Sequence, residues 1–364
     1  MGWPTKGSGK NFNSNTGFAA YCGAYTHKVM MSHIYCRRCR MCSNAKAKNS
    51  PPNKHDCVQN YATELPSKSM ESAAILHMIT ESPGKRGIVM DWIVVDDDCV
   101  MRAHLRYPKP HLPKDKGKLP IWIMEPTFMA DPGHRKKTVA KKFYVLANAT
   151  VGVSRVSSAM AKRCKKNWGY MIRQNRACND ITTFVDKSKA VLEHMFDEHK
   201  HCDSEWCLAL KAKAEGLVYT PSMPWMSTKD ERGLLIYNQL SKITMKYGSE
   251  FYLKQSMHTF TTQTNEALNQ SQAMLTPKAK VFHETRAFHY RHAIVVGTHN
   301  WGHTRYWTSV FDEVGISYSK HFLTFLERTD RKKAVQKAYH MKTDTKRRRA
   351  YKQDACDKRL VYEN

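Results

Sequence analysis

The acids most able to do chemistry are Asp96, Asp97 and Asp98, which close an apolar run from Ile88 to Val95 and precede a helix-like segment, Val100 to Tyr107. A short apolar run with β-branched residues, bounded by turn signals, reads as a buried strand. Carboxylates at its end can cap the next helix by accepting from its first N–H groups. They can equally hold Mg²⁺ or Mn²⁺, which prefer hard oxygen ligands. Three consecutive acids exceed what a cap needs, and they stand out in a chain of net charge +27.

Two cysteine–histidine groups offer a different chemistry. Cys36 and Cys39 are followed about 15 residues on by His55 and Cys57, the ligand types and spacing of a tetrahedral zinc site, with Cys42 competing for one position. His194, His199, Cys202 and Cys207 fall within a single short stretch and could close round one zinc without long-range help, with His201 able to replace one histidine. Free thiols in a basic loop are the plainer alternative.

A third set is cationic. Residues 131–176 hold 12 Lys/Arg and one acid, Asp131. Lys136, Lys137, Lys141, Lys142, Lys165 and Lys166 lie there, interleaved with Phe143, Trp168 and Tyr170, a composition suited to phosphate contact. The tail adds Lys346 with Arg347, Arg348 and Arg349, which read as a solvated helix or arm, with nucleic-acid binding or a nuclear signal as secondary readings.

The chain must also position these groups. At 364 residues, 41% hydrophobic and 10% aromatic, it is long and apolar enough for one large or two ordinary folded domains. The excess of 59 Lys/Arg over 32 acids implies a polyanionic partner, nucleic acid first and an acidic membrane surface second. No apolar run is long enough to span a bilayer. The opening Met1-Gly2-Trp3-Pro4 lacks the apolar core of a signal peptide, and Lys6 stands where a myristoylation motif wants Ser or Thr. Eleven cysteines, several beside histidines, favour metal binding in a reducing compartment over a disulfide scaffold.

The pattern predicts a mixed α/β fold. Gly17–Tyr21 and Thr26–Met31 read as hairpin strands. Ser67–Ile79 reads as an amphipathic helix capped by Ser67, with Gly84 and Gly87 breaking the chain after it. Residues 108–127 form a Pro/Lys loop ending in a possible strand, Ile121–Met124. Lys136–Ala147 and Val156–Gln174 have helical composition. Residues 228–256 look helical, with Leu234, Leu235, Leu240, Ile243 and Met245 as core, and Thr261–Gln270 forms a helix carrying Glu266. No internal repeat is present.

In combination these segments resemble a Mutator-like transposase domain. Gly2-Trp3, Phe12–Gly17 and Cys36–Cys39 look like its opening hairpin and knuckle. His55-Asp56-Cys57-Val58-Gln59-Asn60-Tyr61 followed by Ser67–Glu71 is similar to its most recognisable segment. The acids after the strand, Asp131–Arg135, His194–Cys207 and Gln263-Thr264-Asn265-Glu266 follow in the family's order.

The resemblance implies a ribonuclease-H-like mixed sheet carrying an acidic triad, interrupted by a helical, zinc-stapled insertion and followed here by a basic helical tail. It divides the chain into a first core part with the knuckle (1–130), the insertion (131–256), a core completion carrying the last acid (257–320) and the tail (321–364). Asp96, or Asp98 if the register differs, would be the second acid and Glu266 the third, holding Mg²⁺ or Mn²⁺ for two-metal phosphoryl transfer. Arg135 and the lysines near it would contact backbone phosphate. The family's first acid belongs close to the Gly-Trp element, so the pattern places it at or just before Met1, as in a truncated chain. The implied partner is double-stranded DNA, with a homo-oligomer possible, and the implied compartment is the nucleus. The competing expectation is a zinc-containing DNA-binding protein without catalysis. An RNA-binding zinc protein is weaker, since no RNA-recognition aromatic motif is present.

Overall fold

The structure, a computed structural model, describes residues 2–4, 14–96, 126–221, 226–277, 282, 284–349 and 351–352. The elements in chain order are strands Gly2–Pro4 (β1), Ser14–Cys22 (β2) and Val29–Cys36 (β3), then helices Arg40–Ala47 (α1) and Ser69–Arg86 (α2). Strands Trp92–Val95 (β4) and Thr127–Ala130 (β5) follow, then helices Pro132–Ala149 (α3), Ser158–Asn175 (α4), Ile181–Glu193 (α5) and Leu208–Ala214 (α6). Helices Glu231–Tyr247 (α7), Glu250–Lys254 (α8), Gln263–Leu275 (α9), Arg286–Glu313 (α10) and Lys320–Met341 (α11) complete the order. The architecture is mixed α/β, mostly helical with two small sheets. No helix among the described residues is long and apolar enough to cross a membrane.

The chain divides into two compact units, residues 1–67 with 267–364, and residues 68–266. In the first, β1, β2 and β3 form an antiparallel sheet in that order, with Phe18 opposite Ile34. Phe18 and Val29 of the sheet are buried with Leu268, Phe288 and Val295 from α9 and α10. Burying such side chains contributes about 1.5–3 kcal/mol each. Asn300 fixes the helix against the strand: its side chain accepts from Val29 N at 2.8 Å and donates to Val29 O at 2.9 Å. The run α10 is broken at Gly302, whose φ of 81° lies in the region that glycine alone enters cheaply. Its second half restarts on Asp330 of α11, which accepts from His303 N at 2.8 Å and Thr304 N at 2.9 Å.

In the second unit β4 and β5 pair in parallel, with Val95 beside Ala130. Leu76 and Ile79 of α2 cover this ribbon at Val95 and Phe128. A larger core holds Phe143 of α3, Trp168 of α4, Phe184 of α5 and Leu240 of α7.

Several expectations are corrected here. Helix α2 starts at Ser69, with Lys68 and not Ser67 in the cap position and no side-chain cap. It continues through Pro83 and Gly84 and ends only at Gly87, where φ is 64°. The buried stripe of α7 is Gly233, Ile236, Leu240, Thr244 and Tyr247, a three-to-four-residue spacing that leaves Leu234, Leu235 and Met245 exposed. Strand β5 follows the segment Ile121–Met124, which, like Val100–Tyr107, lies outside the described residues.

Candidate functional site

Adjacent parallel strands bring two carboxylates together in the second unit. Asp96 directly follows strand β4 and Asp131 directly follows β5, and Asp131 N donates to Val95 O at 2.9 Å. The C-terminal ends of parallel strands are where α/β folds present ligand-binding groups. Asp131 also caps α3, accepting from Gly133 N at 2.6 Å and His134 N at 3.0 Å, with Pro132 at the first helical position, where its missing N–H costs nothing.

The segment before α9 closes over these strand ends. His258 donates from Nε2 to Ala130 O at 2.9 Å, burial pushing its pKa down and keeping it neutral. Phe260 packs on Trp92 with ring centroids 4.7 Å apart. Thr262 then donates from its backbone N to Asp131 Oδ2 at 2.6 Å, and its hydroxyl lies 3.1 Å from the same oxygen and 3.4 Å from Asp96 Oδ1. Burial pushes the Asp131 pKa up, but the donors from Thr262, His134 and Gly133 outweigh it and hold the carboxyl below its ordinary value.

One turn further on, Glu266 completes the group. His134 Nε2 lies 3.0 Å from Glu266 Oε1 and its Nδ1 lies 3.5 Å from Asp96 Oδ1. Two acids 170 positions apart in sequence thus meet on one imidazole. Both remain more than half exposed, at 56% and 57% of their side-chain surface, so the face is open to a ligand. Asp131, His134 and Thr262 were not singled out as site residues in the sequence. The legible signal was Asp131-Pro132, a cap and first-turn pair. Asp98, the alternative acid, lies outside the described residues.

Two Cys/His groups could hold zinc: Cys39, Cys42, His55 and Cys57, and His194, His199, Cys202 and Cys207, the ligand atoms of each lying within 4.8 Å of one another. Zinc bonds of about 2.0–2.3 Å meeting at tetrahedral angles space their ligand atoms about 3.3–3.8 Å apart. In the first group His55 Nε2 is 3.3 Å from Cys39 Sγ and 3.4 Å from Cys42 Sγ, and Cys42 Sγ is 3.6 Å from Cys57 Sγ. In the second, His194 Nδ1 is 3.2 Å from His199 Nδ1, and Cys202 and Cys207 Sγ stand 3.5–3.8 Å from the two nitrogens.

The surroundings preset these ligands. His55 donates from Nδ1 to Asn53 O at 2.7 Å, leaving Nε2 for a metal, and His199 Nε2 faces Asp197 at 3.2 Å, leaving Nδ1. Such outer partners fix the ring and tautomer of a metal-bound histidine. Burial pushes the Cys39 thiol up, but backbone donors at Cys42, Val58 and Met41 and the His55 side chain bring it down to about 6, favouring the thiolate a metal needs. Burial and His199 push His194 down to about 4, keeping it neutral.

Cys36, expected as a ligand, stands outside the first group. It ends β3, where its Sγ lies 3.5 Å from Thr16 Oγ1 and 3.8 Å from His289 Nε2. Cys39 sits at the N-cap of α1, so Cys42, one turn on, shares its face and takes the fourth position. His201, the alternative in the second group, is turned to Glu193 at 2.6 Å. Cys207 N-caps α6, so the second group ties the end of α5 to the start of α6.

Among the cationic candidates, Lys137, Lys141, Lys142, Lys166, Arg347, Arg348 and Arg349 are exposed, and Lys136 and Lys165 are half-buried. Arg135 departs from expectation. It is only 1% exposed, its guanidinium donates to Gln255 Oε1 at 3.0 Å and lies 5.0 Å from the Tyr252 ring centroid, so it braces the site from within and faces no solvent phosphate.

No curated protein and no solved structure matches the chain. The Mutator-like transposase family model matches residues 1–207, a stretch that carries both Cys/His groups, Asp96, Asp131 and His134 and stops short of Glu266. With more than half of its length matched, the chain belongs to the Mutator-like transposase family.

Proposed function

We propose that the chain acts as a DDE-type DNA transposase, cutting and joining DNA strands by divalent-metal phosphoryl transfer within a ribonuclease-H-like core. The observation that carries this reading is the meeting of Asp96 and Glu266 at His134 beside the ends of two parallel strands. The donors there are exposed carboxylate oxygens, the ligand type Mg²⁺ and Mn²⁺ take and zinc or copper do not need. Bound between them, such a cation would supply the Lewis acidity that activates water or a 3′-hydroxyl and stabilises the leaving oxygen. Thr262 orients Asp96, Asp131 rigidifies the strand–helix junction, and His134 holds the two carboxylates in reach of one another. Exposed lysines on α3 and α4 would carry the DNA backbone. Zinc in the two Cys/His groups would brace the fold, and the work would be done in the nucleus.

A second reading, a zinc-containing DNA-binding protein without cleavage, is favoured by one observation: the His134 imidazole itself stands between the two carboxylates, where a cation would otherwise balance them. Nicking of supercoiled plasmid by the zinc-loaded full chain separates the two. The first reading expects nicks in Mg²⁺, none in EDTA, and loss of about 100-fold or more in Asp96→Ala and Glu266→Gln. Salt-sensitive binding with no nicking under any divalent metal would leave the second.

A further inference from the structure

Positions 165, 169 and 173 of α4 are four residues apart, so they share one stripe at intervals of about 6 Å along the helix axis. The outer two are Lys165 and Arg173, and the middle one is Gly169, buried in the helix interior. Glycine there costs helix stability relative to alanine, so a packing reason is to be sought. Lys136 of α3 supplies it: its Cε, Nζ and Cδ lie 2.5, 2.6 and 3.0 Å from where a Cβ on Gly169 would stand. The missing side chain lets a lysine of the neighbouring helix lie across the stripe. The charges acting on Lys136 are those of Arg173 and Lys165, both repulsive, and burial with this repulsion pushes its pKa down.

Aromatic rings flank the outer members. Lys165 Nζ lies 5.7 Å from the Tyr144 ring centroid, and the Arg173 guanidinium 5.2 Å from that of Tyr170. Among the described residues no carboxylate pairs with any of the three cations. Like charges held this close are costly until an anion neutralises them. We propose that Lys136, Lys165 and Arg173 form one phosphate-binding row for the DNA backbone, and that Gly169 is the position that creates it. The row rests on the DNA reading above and deepens it, adding Arg173 and Gly169 to the contact surface.

The test is fluorescence anisotropy of a labelled DNA duplex with the zinc-loaded full chain, between about 50 and 200 mM KCl. Lys136→Ala lowers the log–log salt slope by about one. Gly169→Ala keeps every charge yet displaces Lys136, weakening binding roughly two- to tenfold while the thermal midpoint holds or rises, because alanine favours the helix. Lys242→Ala, exposed on α7 outside the row, is the control for loss of one charge. A Lys136→Ala slope no different from that of Lys242→Ala would overturn the row, as would Gly169→Ala binding like wild type. Duplex RNA of the same sequence, run alongside, distinguishes the backbones: effects confined to RNA overturn the assignment to DNA. Wild type that binds duplex DNA but never nicks removes the cleavage reading and leaves the row standing, whereas wild type that binds no DNA overturns both.

Discussion

Asp131 concentrates the demands of the site on one carboxylate. It caps α3, accepts two bonds from Thr262 and donates a backbone bond from its own N–H to Val95 O. Removing a buried acceptor of this kind costs about 1–3 kcal/mol, so Asp131→Ala should lower the denaturation midpoint measurably. Its pKa is held below the ordinary 3.8 in the folded state. Its contribution is therefore full above the ordinary carboxylate range and is lost as pH falls through the lowered value. Asp131→Asn, which keeps a capping oxygen but does not titrate, should flatten the acid limb of stability against pH. An acid limb identical to that of wild type would show that Asp131 carries none of it. The cysteines divide as sharply. Cys207→Ala and Cys39→Ala should each remove one of two zinc ions by elemental analysis of the purified protein, and Cys36→Ser should remove neither. Sequence spacing alone named Cys36 as the ligand and kept Cys42 only as a competitor. What decides between them is where β3 ends and α1 begins, a boundary that spacing does not record.

At the scale of elements, the legible parts were those with local causes. The hairpin, α2, α3, α4 and α9 each show their period or their turn residues, and the structure contains each of them, with α2 running seven residues past the expected Ile79. The strand β5 was missed because four residues, Thr127–Ala130, carry too short a pattern to stand out. Helices α10 and α11 had no clear stripe to read: α10 is broken at Gly302 and buries Phe288, His292, Val295 and Gly297 only before the break, and α11 buries Leu326 alone. That break is held by Asp330, whose carboxylate accepts from His303 N, Thr304 N and the Thr304 hydroxyl. Asp330→Ala removes a helix cap and should cost about 1 kcal/mol in chemical denaturation. Gly302→Ala should also destabilise, since a Cβ there faces both a positive φ and the Asp330 carboxylate at 3.2 Å. If both variants unfold like wild type, the break is not held by this cap.

Across the whole molecule, the family was readable because six modest motifs occur in order, and the family model spans 1–207. The acid pair was readable only in part. Asp96 and Glu266 were named from context, but nothing local shows that α9 returns to the ends of β4 and β5, because that return is made by Phe260 on Trp92 and Thr262 on Asp131. His134 as the group between the two acids is a product of the same long-range closure. The basic excess, in turn, announced a polyanion without saying which cations would meet it, and burial removes Arg135 from the set. The central claim is that Asp96 touches the divalent cation of a DNA-cleaving site. The direct measurement is plasmid nicking by Asp96→Cys in Mg²⁺ and in Mn²⁺, since a thiolate ligand accepts the softer ion far better than Mg²⁺. The account predicts a variant inactive in Mg²⁺ and partly restored in Mn²⁺. Activity that is equal in the two metals, or absent in both while wild type nicks in each, would contradict it.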